Sequence, residues 1–199
     1  MTKPAERVGG VILAAGEAKR FGSQKLLAPI DGRALVERVI AAATASSLAD
    51  AVVVVGADAE HVSRVAMGRA RAVRNPDYAT GQSSSLKAGL RALADDVDAA
   101  VVLLGDVPGV TSALIEALIA RHRETGAPAV ASRWNGALSP PVLLHRDLFG
   151  AAMALRGDVG MREVLAGRDD VAVVEVTEDL GALGDVDTPE DHARISRSR

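Results

Sequence analysis

With 199 residues, 48% of them apolar and 25% charged, the chain is long enough for one full hydrophobic core and too apolar to stay disordered. A net charge of −3 and an aromatic content of 2% argue against broad electrostatic binding to nucleic acid and against stacking platforms for single strands. Cysteine is absent, which removes disulfides, thiolate zinc sites and cysteine nucleophiles.

The chain opens with MTKPAERVGG, which lacks the apolar run of a signal peptide. No apolar stretch approaches the roughly 20 residues that a membrane-spanning helix needs. A cytoplasmic protein that binds neither membrane nor nucleic acid is the expectation, and residues 1–199 are expected to form a single domain.

Val8–Leu13 reads as a buried strand, and GEAKRFGSQK follows it as a loop with Gly16, Arg20, Gly22 and Lys25. These are ingredients for binding phosphate: glycines that permit tight turns, amides that can face an anion, and two cations. Neither standard template fits. A Walker loop needs four residues between its glycines and a Lys directly after the second, and a dinucleotide loop needs G-x-G-x-x-G. Next come a helical pattern over Ala34–Ser46 and a short apolar strand at Ala51–Val55.

GQSSSLKAGL at Gly81–Leu90 places Ser83, Ser84 and Ser85 ahead of a helix expected over Ser84–Leu93. Any of the three could cap that helix, and its free N–H groups could also meet a ligand. Ala99–Leu104 is an apolar strand followed by Gly105-Asp106-Val107-Pro108. A carboxylate just past the end of a central strand is well placed to hold Mg²⁺, an ion that takes one or two carboxylates together with phosphate oxygens. A turn or cap role would also explain Asp106.

Ser112–Thr125 carries a helical stripe of Leu114, Ile115, Leu118 and Ile119, and Pro128–Ser132 is a further strand. Asn135–Pro141 (NGALSPP) reads as a loop, after which Val142–Leu144 starts an excursion from the central sheet. Val171–Val176 is the last strand. In GDVDTPED at Gly184–Asp191, Thr188-Pro189-Glu190-Asp191 has the form of a helix start. That leaves Asp185 and Asp187 unexplained; they alternate along an extended approach, and either could complete a metal site with Asp106. The four histidines are scattered without an i,i+4 pair, and no serine lies in G-x-S-x-G. Short strands that are apolar on both faces, alternating with helices, indicate an α/β protein with a mostly parallel sheet covered on both sides.

Together these segments resemble a known family. LAAGEAKRFGSQK at Leu13–Lys25 is similar to the signature loop of MobA-like nucleotidyltransferases, and LLGDVP at Leu103–Pro108 is similar to their metal-binding Asp motif. GQSSSLKAGL, GDVGMREVL at Gly157–Leu165 and LGDVDTPED resemble the narrower group of molybdenum cofactor (molybdopterin) cytidylyltransferases. The resemblance implies a Rossmann-like three-layer α/β/α sandwich of the glycosyltransferase-A type. It implies transfer of a nucleoside monophosphate from an NTP, with CTP favoured, to a small phosphorylated acceptor of the molybdopterin type.

By the same resemblance Arg20, Lys25 and Asp106 are catalytic, and Mg²⁺ is held by Asp106 and Asp187. Leu13, Ala14, Ala15 and Gly16, with Lys25, Gly81, Ser84 and Ser85, bind the nucleotide. Ala15, where guanylyl-transferring relatives carry glycine, points to cytidine. A molybdoenzyme or its chaperone is the implied partner. Gln82 and the NGALSPP loop depart from the group's usual pattern and bear on the acceptor. Two other readings stay open, namely transfer to another small phosphorylated acceptor and a non-catalytic nucleotide-binding or cofactor-delivery module.

Overall fold

The structure is a computed structural model, and it describes residues 6–17, 21 and 25–197. In chain order the elements are β1 (Val8–Ala14), β2 (Pro29–Ile30), β3 (Arg33–Ala34), α1 (Leu35–Thr44), β4 (Asp50–Val55), α2 (Ala59–Ala66), β5 (Arg71–Arg74) and α3 (Gln82–Ala92). There follow β6 (Ala99–Leu104), α4 (Ser112–Thr125), β7 (Ala129–Trp134), β8 (Ala137–His145), α5 (Phe149–Ala154), α6 (Met161–Leu165), β9 (Val171–Glu175) and α7 (Pro189–Arg197). Seven strands form one sheet in the order β5-β4-β1-β6-β8-β7-β9, and β2 pairs with β3 separately.

The expected mostly parallel, two-sided sheet is present. β5, β4, β1 and β6 run parallel, β8 is antiparallel to both its neighbours, and β9 returns parallel to β7. Successive residues of β1 enter opposite layers, with both Val11 and Ile12 fully buried. On the Ile12 side, Val36, Ile40, Leu114 and Leu118 of α1 and α4 cover the sheet. On the Val11 side, Leu86 and Leu90 of α3 and Val164 of α6 do so. A strand that feeds two apolar layers has no polar face, which is why its sequence is a continuous apolar run. Contact between α3 and β1 is so close that a Cβ at Gly89 would lie 2.2 Å from Cγ1 of Val11.

The structure departs from the sequence reading at several points. α2 and β5 were not expected. β5 is an edge strand, RAVR, whose charged residues hide the apolar signal and are suited to an exposed edge. NGALSPP is not a long loop: only Asn135 and Gly136 form the turn, both with positive φ, and β8 begins at Ala137. Asn-Gly is the sequence signature of a tight hairpin, but the prolines that follow it disguise the turn as part of a longer loop. The prolines of β8 sit where its register with β7 shifts, and there Ser132 Oγ donates to the Pro141 carbonyl at 2.7 Å. Among the described residues no helix is long and apolar enough to cross a membrane.

Candidate active site

Because β4, β1 and β6 are parallel, their C-terminal ends emerge at one edge, and the loops after β1 and β6 meet there. Gly105 N–H donates to the Leu13 carbonyl at 2.9 Å, tying the two loops together. A cleft of about 470 Å³ opens above them, lined by Leu13, Ala14, Ala15, Gly16, Lys25, Gly81, Ser85 and Asp106. These expected site residues are therefore brought together. A Cβ at Gly16 would meet nothing within 4 Å, so packing does not demand glycine there.

Lys25 begins a single 3-10 turn, Lys25–Leu27, and points into the cleft floor. Its Nζ lies 2.8 Å from Oδ2 of Asp106 and 2.8 Å from Oδ1 of Asp187. The Lys25 side chain is 12% exposed. Burial works against its charge, but the fields of and hydrogen bonds to Asp106 and then Asp187 outweigh it and raise its pKa above the ordinary lysine value. The ammonium is thus held charged between two carboxylates.

Asp187 reaches this point because the segment before α7 is fixed at both ends. Val186 is fully buried, and its N–H donates to the Asp106 carbonyl at 3.1 Å. The expected cap follows as a reciprocal box: Asp191 N–H donates to Thr188 Oγ1, and Asp191 Oδ2 accepts from the N–H groups of Thr188 and Asp187. The two alternating residues part in this geometry. Asp187 pairs with Lys25, while Asp185 is exposed.

One expected residue lies elsewhere. Ser84 lines a neighbouring depression rather than the cleft, and its hydroxyl bonds the carbonyls of Gly81 and Asp77 at the start of α3. Arg20 falls outside the described residues. Sequence reasoning missed Tyr78, Thr80 and Asp158, which line the cleft together with Gln82. Asp158 arrives from a distant loop that clamps the start of α3, where Gly157 accepts from Ser83 N–H and Oγ. A Cβ at Gly81 would lie 2.3 Å from the Gly157 carbonyl carbon. Gly81 was the available signal, since this close backbone approach requires it.

Beside the cleft, and sharing Leu13, Gln82, Leu104 and Asp158 with it, lies a depression of about 610 Å³. Its wall is largely apolar, built from Val102, Leu138, Pro140, Val142, Met161 and Leu165, with Arg162 also lining it. The arrangement offers a polar, charge-bearing cleft joined to an apolar one, as a two-substrate reaction would use.

The sequence profile of the MobA-like NTP transferase domain matches residues 10–173, which include most of β1, all of β2 to β8 and the Lys25 and Asp106 motifs. The chain belongs to the MobA-like NTP transferase family. It is accordingly a nucleotidyltransferase of that kind, with a nucleotide substrate and an acceptor. Purine catabolism protein PucB of Bacillus subtilis is 32% identical over 95% of this MobA-like chain and 96% of its own. Nicotine blue oxidoreductase of Paenarthrobacter nicotinovorans is also 32% identical, over 94% and 96%.

Among solved structures, an Rv0371c homologue from Mycobacterium sp. strain JC1 superposes with a TM-score of 0.85 at 33% identity, covering 96% of each chain. Rv0371c of Mycobacterium tuberculosis in complex with manganese gives 0.81 at 25% identity, covering 97% of this chain and 100% of that one. The Rossmann-like fold and the MobA-like kinship expected from the sequence are both present.

Proposed function

We propose that this MobA-like transferase moves the CMP unit of CTP onto a phosphorylated acceptor of the molybdopterin type, using Mg²⁺ and releasing pyrophosphate. The observation that carries the reading is the clasp of Lys25 by Asp106 and Asp187 on the floor of the cleft. Two carboxylates converging on one cation position are a donor set that fits Mg²⁺, whose remaining ligands would be phosphate oxygens and water. A relative whose structure was solved with manganese, an ion with the same preference for oxygen ligands, supports a divalent cation here. When bound, the ion would neutralise charge on the phosphate oxygens.

The chain's own residues do the rest. Lys25 keeps its proton and presents a fixed positive charge to the triphosphate, and Arg20 adds a second. The open backbone at Gly16 lets a nucleotide approach without a side chain in the way. An oxygen of the acceptor phosphate forms a bond to the α-phosphorus. The bond from that phosphorus to the bridging oxygen breaks in line, and pyrophosphate leaves with the electron pair. No protein nucleophile is needed; positioning and charge neutralisation suffice.

The walls of the two clefts support this choice of base and acceptor. Ala15 lines the cleft where guanylyl-transferring relatives carry glycine, and a methyl there in place of glycine would favour the smaller base by about 1–3 kcal/mol. The neighbouring depression, largely apolar with Arg162, Asp158 and Glu163 also in its lining, suits a flat heterocycle better than a sugar phosphate covered in hydroxyls. A product of that kind would pass to a molybdoenzyme or its chaperone in the cytoplasm.

A redox reading is favoured by one observation, the 32% identity to a chain named nicotine blue oxidoreductase. The sequence carries no G-x-G-x-x-G for a dinucleotide. The deciding experiment supplies CTP, GTP, ATP or UTP with Mg²⁺ and either molybdopterin or phosphosugars, and reads pyrophosphate. Release with CTP and molybdopterin is expected. Release only with a phosphosugar would reassign the acceptor. Nucleotide binding without release under every acceptor would return the delivery module, and NAD(P)H oxidation without release would favour the redox reading.

A further inference from the structure

On the far side of the Tyr78–Gly81 wall lies a second depression of about 550 Å³. Four cations line it: Arg74 at the end of β5, Lys87 and Arg91 one turn apart on α3, and Arg156 beyond α5. Asp77 is its only acidic residue. None of the four cations makes an ion pair or a hydrogen bond among the described residues. Elsewhere Arg38, Arg64, Arg69, Arg71, Arg133 and Arg168 each sit on a carboxylate, and no other hollow among the described residues gathers four unpaired cations. In a chain of net charge −3, leaving four cations uncompensated around one hollow concentrates positive potential there.

The geometry points to a second anion site, separate from the nucleotide cleft, that takes a compact, multiply charged phosphate. The lining has no aromatic side chain and only Pro76 and Ala88 as apolar ones, so it offers a nucleobase nothing to stack on. Arginine forks and a lysine suit phosphate oxygens. The hollow also has a physical connection to the cleft. Asn75 in its wall donates to Ser84 Oγ at 2.8 Å and to Ser85 Oγ at 3.0 Å, and Ser85 lines the cleft. Thr80 lines both.

The test follows backbone amide chemical shifts of the full chain, without metal, as inorganic pyrophosphate is added at low salt. Shifts at Arg74, Lys87, Arg91 and Arg156 that saturate and weaken as salt rises are expected. Arg91→Glu combined with Arg156→Glu should weaken that binding at least about ten-fold, with the melting temperature unchanged. The milder Arg91→Gln with Arg156→Gln keeps the test valid if charge reversal disturbs folding. Glycerol phosphate in parallel distinguishes the source: equal binding assigns the site to the phosphoryl group of a larger molecule, and weaker binding to the free anion. Shifts confined to Ala15, Gly16 and Lys25 would overturn the proposal. So would shifts at the four cations with an oligoglutamate peptide but not with pyrophosphate, which would make the hollow a protein-docking surface.

Discussion

The ammonium of Lys25 meets Asp106 and Asp187 at 2.8 Å each, with 12% of its side chain exposed, so its charge is compensated where little water can help. Because its folded-state pKa is raised, the pairing stabilises the fold fully below the ordinary lysine value and loses that contribution as pH rises through the raised one. The difference in melting temperature between wild type and Lys25→Met should therefore hold steady across neutral pH and shrink only in strong alkali. A difference that vanished near neutrality would contradict the clasp. The two acids should also separate in activity. Asp187→Asn is expected to lower pyrophosphate release about 10²-fold, the scale of one lost charge contact, while Asp185→Asn leaves it unchanged. Lys25 and Asp106 were legible because each follows a strand whose apolar run marks its own end. The choice of Asp187 was not, since it depends on Val186 being buried and on Asp191 holding the backbone at 187.

At the scale of elements, the active edge depends on how closely α3 lies on β1. Gly89→Ala would drive a methyl into Val11 and is expected to cost about 1–3 kcal/mol, read as a lowered urea midpoint with the slope unchanged. A midpoint equal to wild type would show that α3 can lift without penalty. The buried strands and long helices could be read from apolar period alone, and the α7 cap from Thr188-Pro189-Glu190-Asp191. The hairpin of β7 and β8 was masked by its own composition. Proline and glycine in NGALSPP signal a loop, yet Asn135-Gly136 alone makes the turn and the prolines fit at the register shift. α2 and β5 were lost because half of their residues are polar and both are short, so their placement comes from pairing with β4 and packing on it rather than from local sequence.

For the molecule as a whole, a parallel sheet delivers the loops after β1 and β6 to one edge, and the chain's last loop closes over them with Asp187. The clamp of α3 by Gly157, 74 residues from its partner Ser83, could not be read from local pattern, and it is what brings Asp158 to the junction of the two clefts. Calorimetry with the four nucleoside triphosphates and Mg²⁺ tests the base assignment. CTP should bind at least about ten-fold more tightly than GTP, the scale of a modest steric clash, and equal affinities would remove Ala15 as a discriminator.

The central claim is that the Lys25–Asp106–Asp187 floor is a nucleotidyl-transfer centre, and the most direct measurement is pyrophosphate release from CTP with Mg²⁺ and molybdopterin. The account predicts release by the wild-type chain and a loss of at least about 10²-fold in both Lys25→Ala and Asp106→Ala, with each variant still folded by circular dichroism. Release at the wild-type rate from either variant would contradict it.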